Sequence, residues 1–180
     1  MGSNTFMLED LQITPIFPGY VTDDLDDDTM QTGDYLYMGN YGKCLILIAY
    51  GDGSATTGDI GITVQQTTYD GDTANIKAID FLQTGRIFEK RAATTVAAVA
   101  DWVKVTQATA DEVYTDTASG EELGMIALEL KSSDFDADGG FDWFRVDLTA
   151  CTSAKLACAL AIFGDPKYPA AVTSMKSVIA

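Results

Sequence analysis

No histidine occurs in the 180 residues of this chain. That absence excludes Ser-His-Asp and Cys-His nucleophilic catalysis, histidine-ligated zinc and the commonest general base near neutral pH. Bases are scarce as well: 11 Lys and Arg stand against 27 Asp and Glu, a formal charge of -16. Such a surface repels phosphate backbones, so no direct nucleic-acid partner is expected, and solubility or tolerance of a salty medium accounts for the charge. Cysteine is limited to Cys44, Cys151 and Cys158, an odd number, with two of them inside apolar, strand-like stretches. Reduced core thiols are expected rather than a disulfide framework or a metal site. The longest apolar run, near Cys44 to Tyr50, falls far short of the roughly 20 residues a membrane-spanning helix needs, so no membrane partner is expected. The opening MGSNTFMLEDLQ lacks a basic region followed by an apolar stretch, and Phe6 stands where a myristoylation signal carries Ser or Thr. Neither a secretory signal nor a lipid anchor is expected.

What the chain does have is alternation. With 47% hydrophobic residues it can bury the core of one domain but hardly two. Apolar residues recur at every second position more often than at helical spacing, between clusters of Gly, Asp, Asn and Thr. GKCLILIAY (42–50) is nearly continuous in apolar residues, as a central strand covered on both faces would be. Ile60, Ile62 and Val64 alternate with small or polar partners, and Phe144, Val146 and Leu148 share a face in FDWFRVDL. With LQITPIF, DYLYMGN, ANIKAIDF, DWVKVTQ, LGMIALELK and KLACALAIF, these stretches make eight or nine strands. The expected fold is all-β, a single jelly-roll-like β-sandwich. AATTVAAVA (92–100) is the one possible helix, although its threonines and valines suit a strand or loop equally.

The ends differ from the middle. Residues 1–33 read as an extended acidic arm, 34–168 as the sandwich and 169–180 as a weakly patterned tail. ITPIFPG carries two prolines that favour an extended path, and five aspartates lie between Thr22 and Thr29. An arm of this kind needs a neighbour to bury Phe6, Leu8, Ile13, Ile16 and Phe17, which are the expected contacts to another subunit or to a larger assembly.

One stretch invites a metal. DFDADGGFDW (134–143) begins like an EF-hand loop, with Asp134, Asp136 and Asp138 at alternate positions and Gly139 at the sixth. The twelfth position, however, is Arg145 where the loop needs a bidentate glutamate, and the flanks alternate as strands rather than helices. A hairpin turn is expected instead, with Asp side chains bonding the backbone and Gly139-Gly140 supplying positive φ. A non-EF calcium site on Asp134, Asp136 and Asp138 is the weaker alternative, and no cofactor is otherwise expected. Nothing separates a catalytic carboxylate pair from the remaining acids, so the chain reads as a non-enzyme. GDGSATTGDIG has no Gly-Lys-Ser/Thr step and lies between strands, so it is not a phosphate loop. Tyr35, Tyr37, Tyr41 and Tyr50 surround one strand and could form a sugar-stacking face, although strand aromatics more often pack.

The order of GDYLYMGNYGKCLILIAYG, ITVQQTTYDGDTANIKAIDF and IALELKSSDFDADGGFDWFRVDL, followed by an apolar strand and a Tyr-Pro-containing tail, resembles small proteins encoded beside the major capsid protein of tailed bacteriophages. The resemblance covers roughly residues 33 to 168. Such proteins are capsid decoration, or cement, proteins: β-sandwich or jelly-roll modules, often trimeric, that bind the outside of the head and stabilise it. The resemblance implies a virion location on the outer capsid surface after synthesis in the host cytoplasm. It also implies the major capsid protein and further copies of the chain as partners, and no catalytic residues. A calcium-assisted carbohydrate- or receptor-binding sandwich is the alternative reading.

Overall fold

The structure, a computed structural model, describes residues 11–17, 31–51, 59–69, 71, 73–79, 86–92, 101–105, 113–116, 123–148 and 157–167. These residues form a β-sandwich of two antiparallel sheets. The first sheet has six strands, in the order β1 (Gln12–Pro15), β12 (Ala157–Pro166), β4 (Tyr41–Tyr50), β10 (Leu123–Lys131), β7 (Ile87–Ala92) and β8 (Val103–Val105). The second runs β2 (Gln31–Thr32), β11 (Trp143–Leu148), β5 (Ile60–Thr67) and β6 (Ile76–Ala78). In addition β3 (Leu36–Tyr37) pairs with β11, and β9 (Val113–Asp116) pairs with β5. Long strands alternate between the sheets along the chain, so β4, β10 and β12 lie in one layer and β5 and β11 in the other.

The core follows from the period of two. Cys44, Ile46 and Ile48 of β4, Ile126, Leu128 and Leu130 of β10, and Ala159, Ala161 and Phe163 of β12 point inward from the first sheet. Ile60, Ile62, Val64, Phe144, Val146 and Leu148 meet them from the second. Phe144 sits centrally, with ring centroids 6.1 Å from Phe163 across the sandwich and 5.7 Å from Phe135. Each of the Ile, Leu, Val and Phe side chains contributes about 1.5–3 kcal/mol on leaving water.

Nine of the twelve strands among the described residues match stretches read from the alternation. The three missed are β2, β7 and β9: a two-residue strand, the charged IFEKRA, and VYTD. Residues 93–100 of the possible helix lie outside the described residues.

The arm expectation is corrected for residues 11–17. Gln12–Pro15 pairs antiparallel with Leu160–Phe163, which makes β1 an edge strand of the chain's own sheet. Ile16 donates its N–H to the Ala159 carbonyl at 3.0 Å and accepts from the Asp34 N–H at 2.8 Å. Ile16 and Phe17 are buried, at 0% and 5% exposure, among the core residues of this chain. They are not available to a neighbour. The physical reason is that ITPIF alternates well enough to satisfy a sheet edge, and Pro15 is tolerated there because an edge strand leaves some N–H groups unpaired in any case. Ile13 is the exception, facing outward at 49% exposure. Phe6 and Leu8 lie outside the described residues.

Candidate functional site

The aspartate-rich stretch joins the two layers rather than forming a hairpin, because β10 belongs to the first sheet and β11 to the second. It folds as two short 3-10 turns, Ser132–Asp134 and Ala137–Gly139. Of the two glycines only Gly140 takes a positive φ, 82°, and Gly139 instead donates its N–H to the Asp136 carboxylate at 3.2 Å. Asp134 is gripped by both guanidinium nitrogens of Arg86, with the second contact at 3.0 Å, and also accepts the Lys131 N–H at 2.7 Å. Asp136 accepts from Lys77 at 2.5 Å, and that bond, aided by the Gly139 N–H, holds its carboxyl below the usual carboxylate range. Asp138 is exposed. Two of the three candidate calcium ligands are therefore turned onto cations, and among the described residues no three acidic, cysteine or histidine side chains converge on a point that could hold a metal. The sequence marked these aspartates but not their partners, because Lys77 and Arg86 lie 59 and 48 residues away.

The tyrosines do not form one platform. Tyr41 and Tyr50 are in the core, and burial pushes the Tyr41 hydroxyl pKa up while it donates to Gln12. Tyr37 packs on Trp143 with centroids 5.0 Å apart, and Tyr35 lies under the Arg145 guanidinium at 5.4 Å. Arg145, at the position where an EF-hand carries glutamate, is held by Asp147 at 2.9 Å, Tyr35 at 3.1 Å and Gln65 at 3.3 Å. Asp147 is itself buried and also accepts the Gly33 N–H. This side of the second sheet thus holds a polar network whose donors and acceptors meet each other, beside a row of Tyr37, Trp143 and Ile76 in which Ile76 is 38% exposed.

The outer side of the first sheet is more widely apolar. The β4, β12 and β10 registers place four cross-strand rows on it. The first is Cys158, Ala49, Met125 and Lys90. The second is Pro15, Leu160, Leu47, Ala127 and Phe88, and the third is Ile13, Ile162, Leu45 and Glu129. The fourth is Gly164, Lys43 and Lys131. Leu45 and Leu160 are each 37% exposed, beside Ile13. GKCLILIAY is the central strand its composition promised, but only its Cys44, Ile46, Ile48 and Tyr50 side is sealed; the expectation of cover on both faces is corrected by the exposure of Leu45. Four strands about 4.8 Å apart and about six residues of about 3.3 Å each give this part of the sheet a footprint of roughly 400 Å², in which Ile13, Leu45 and Leu160 are the exposed large apolar side chains and Ala127 is buried. That footprint is within the range of the largest apolar patch on a monomer, which is often functional. The sequence carried the signal, in the odd-numbered Leu45, Leu47 and Ala49 interleaved with the core set. A run apolar on both faces reads identically whether its second face meets a layer of the same chain or a partner.

Among the described residues no helix is long and apolar enough to cross a membrane. No family model matches the sequence, and no curated protein matches it. Among solved structures the chain is similar to the SPBc2 prophage-derived protein YomS, at 8% sequence identity over 85% of this chain and 93% of that one, with a TM-score of 0.36. At that distance the likeness carries no functional weight.

Proposed function

We propose that this chain is a structural, non-enzymatic protein of a tailed-phage virion that decorates the outside of the capsid, docking on the major capsid protein through the outer face of its first sheet. The observation that carries the reading is the apolar area around Leu45, Leu160 and Ile13 on a rigid, fully cored sandwich. Burying such an area contributes about 25 cal/mol per Å² before the costs of association. The resemblance of the segment order to decoration proteins supports the same partner and the same location, the outer capsid surface.

A footprint near 400 Å² is about half of what one side of a standard interface buries, so a single copy would hold weakly. Binding as an oligomer, a homotrimer by the resemblance, raises occupancy by engaging several sites at once. Phe6 and Leu8 would add apolar contacts from the amino end, whereas Ile16 and Phe17 are already committed to the core.

The alternative, a calcium-assisted carbohydrate- or receptor-binding module, would have to free Asp134 and Asp136 from Arg86 and Lys77 before a cation could use them. The test is reconstitution. Purified protein mixed with heads that lack it should sediment with them in a saturable way, and protein that stays in the supernatant at micromolar concentration would overturn the proposal.

A further inference from the structure

Charge on the outer face of the first sheet runs against the rest of the molecule. The chain carries 27 acids and 11 bases, yet this face displays Lys43, Lys131, Lys90 and Lys104 around its apolar rows, with Glu129 as the one carboxylate in those rows. Lys43 and Lys131 are directly opposite each other on adjacent antiparallel strands, and both are exposed. Like charges opposed in this way destabilise a sheet unless something negative lies over them. Among the described residues no carboxylate is ion-paired with either side chain; Asp134, which accepts the Lys131 N–H, is held by Arg86. The Asp165 carboxylate lies against Gly42, and Glu129 is one row away, opposite Leu45. Lys90 is drawn over the Trp102 ring at 5.9 Å, on the far flank of the same face.

From this placement we infer that the outer face of the first sheet takes a protein surface that presents apolar side chains beside carboxylates, with Lys43 and Lys131 receiving the carboxylates. The inference rests on the decoration reading for the identity of the occupant, the shell protein, and supplies its chemistry. Charge decides between occupants. Packing this face on the same face of a second copy would bring two lysine-bearing rims together, with only Glu129 from each side to answer them. A basic partner would be attracted to nearly every other surface of a chain charged -16, and least to this one. An acid-rimmed apolar partner is repelled by the rest of the molecule and welcomed here, so the same charges that bind also orient it.

The leucines alone would accept any apolar surface; the lysines select among them. Residue-resolved NMR tests this without a capsid. Two soluble peptides, one alternating leucine with glutamate and one alternating leucine with lysine, are titrated into the folded protein. The expected result is that the glutamate peptide shifts the amides of Leu45, Leu160 and Lys43 and that Lys43→Glu/Lys131→Glu reduces its affinity at least tenfold, while Lys43→Arg/Lys131→Arg retains it. Equal shifts at those amides from both peptides, or a stronger response to the lysine peptide, would overturn the inference. On heads, the same double reversal should weaken binding at low salt and matter less at high salt. Heads that bind wild type and the reversed variant alike would overturn the inference and leave the decoration reading standing. Heads that bind neither, together with glutamate-peptide selectivity, would sink the decoration reading and leave the chemistry of the face intact. Self-association that Lys43→Glu/Lys131→Glu abolishes would assign the face to a second copy and overturn the shell assignment.

Discussion

Leu45 of β4 and Ile162 of β12 lie directly opposite each other on the outer face of the first sheet, and the next residue outward in that row is Ile13 of β1. One layer below, Ile46 and Ala161, a register pair on the same two strands, are fully buried. Both sides of the sheet centre are therefore apolar, and only one of them meets the second sheet.

Because the outer row is partly solvated already, changing it should cost little stability. Leu45→Asp/Leu160→Asp is expected to lower stability by about 1–2 kcal/mol at most and to cut binding of an apolar dye such as ANS. Chemical denaturation and dye fluorescence check both halves; loss of folding would show that the face is internal.

Core substitution should behave in the opposite way. Phe144→Ala removes the ring between Phe163 and Phe135 and is expected to cost about 3–5 kcal/mol. Urea unfolding would show it, and a cost under about 1 kcal/mol would mean that the two sheets do not pack through this ring.

The aspartate turn is expected to work as an ion-pair clasp. Asp134→Asn removes the carboxylate charge that faces Arg86, whose side chain is only 14% exposed, and should cost about 1–3 kcal/mol. Millimolar calcium should leave the melting temperature of wild type unchanged. A calcium-dependent rise that Asp136→Ala removes would restore the metal reading.

Acid should loosen the Lys77–Asp136 pair in a defined direction. The folded carboxyl titrates below its ordinary value, chiefly because Lys77 donates to it, so the pair's contribution is complete above the unfolded-state pKa and fades as pH falls through the folded one. The carboxylate is exposed and the effect on stability slight. Carboxyl-carbon NMR reads it directly: Lys77→Met should move the Asp136 midpoint upward, and an unmoved midpoint would contradict the assignment.

The thiols should separate by layer. Cys44 is in the core, where burial pushes its pKa up, whereas Cys158 is exposed on the outer face beside Ala49. A maleimide reagent on the native protein should modify Cys158 and spare Cys44 by peptide mapping; the reverse order would invert the two faces of the sheet.

The alternation of Ile60, Ile62 and Val64 and of Phe144, Val146 and Leu148 made the all-β sandwich legible, since period two leaves no other way to bury those side chains on one side. IFEKRA escaped because Glu89 faces inward, paired with Arg91 at 2.7 Å, and breaks the apolar pattern that identifies a strand. The arm around Ile16 was misread because an extended, proline-bearing segment looks the same whether it pairs with its own sheet or with another. Arg86–Asp134 and Lys77–Asp136 were out of reach, because long-range pairing is fixed by the register of strands and not by spacing. The outer face was half legible. Its leucines stood in the sequence, but only the register showed that Lys43 and Lys131 form its rim.

The most direct test of the central claim is occupancy on heads that lack the protein, compared between wild type and Leu45→Asp/Leu160→Asp at matched folding and oligomeric state. Saturable binding by wild type, with affinity at least tenfold lower in the double variant, is the expected result. Equal occupancy by the two proteins would contradict docking through the outer face of the first sheet.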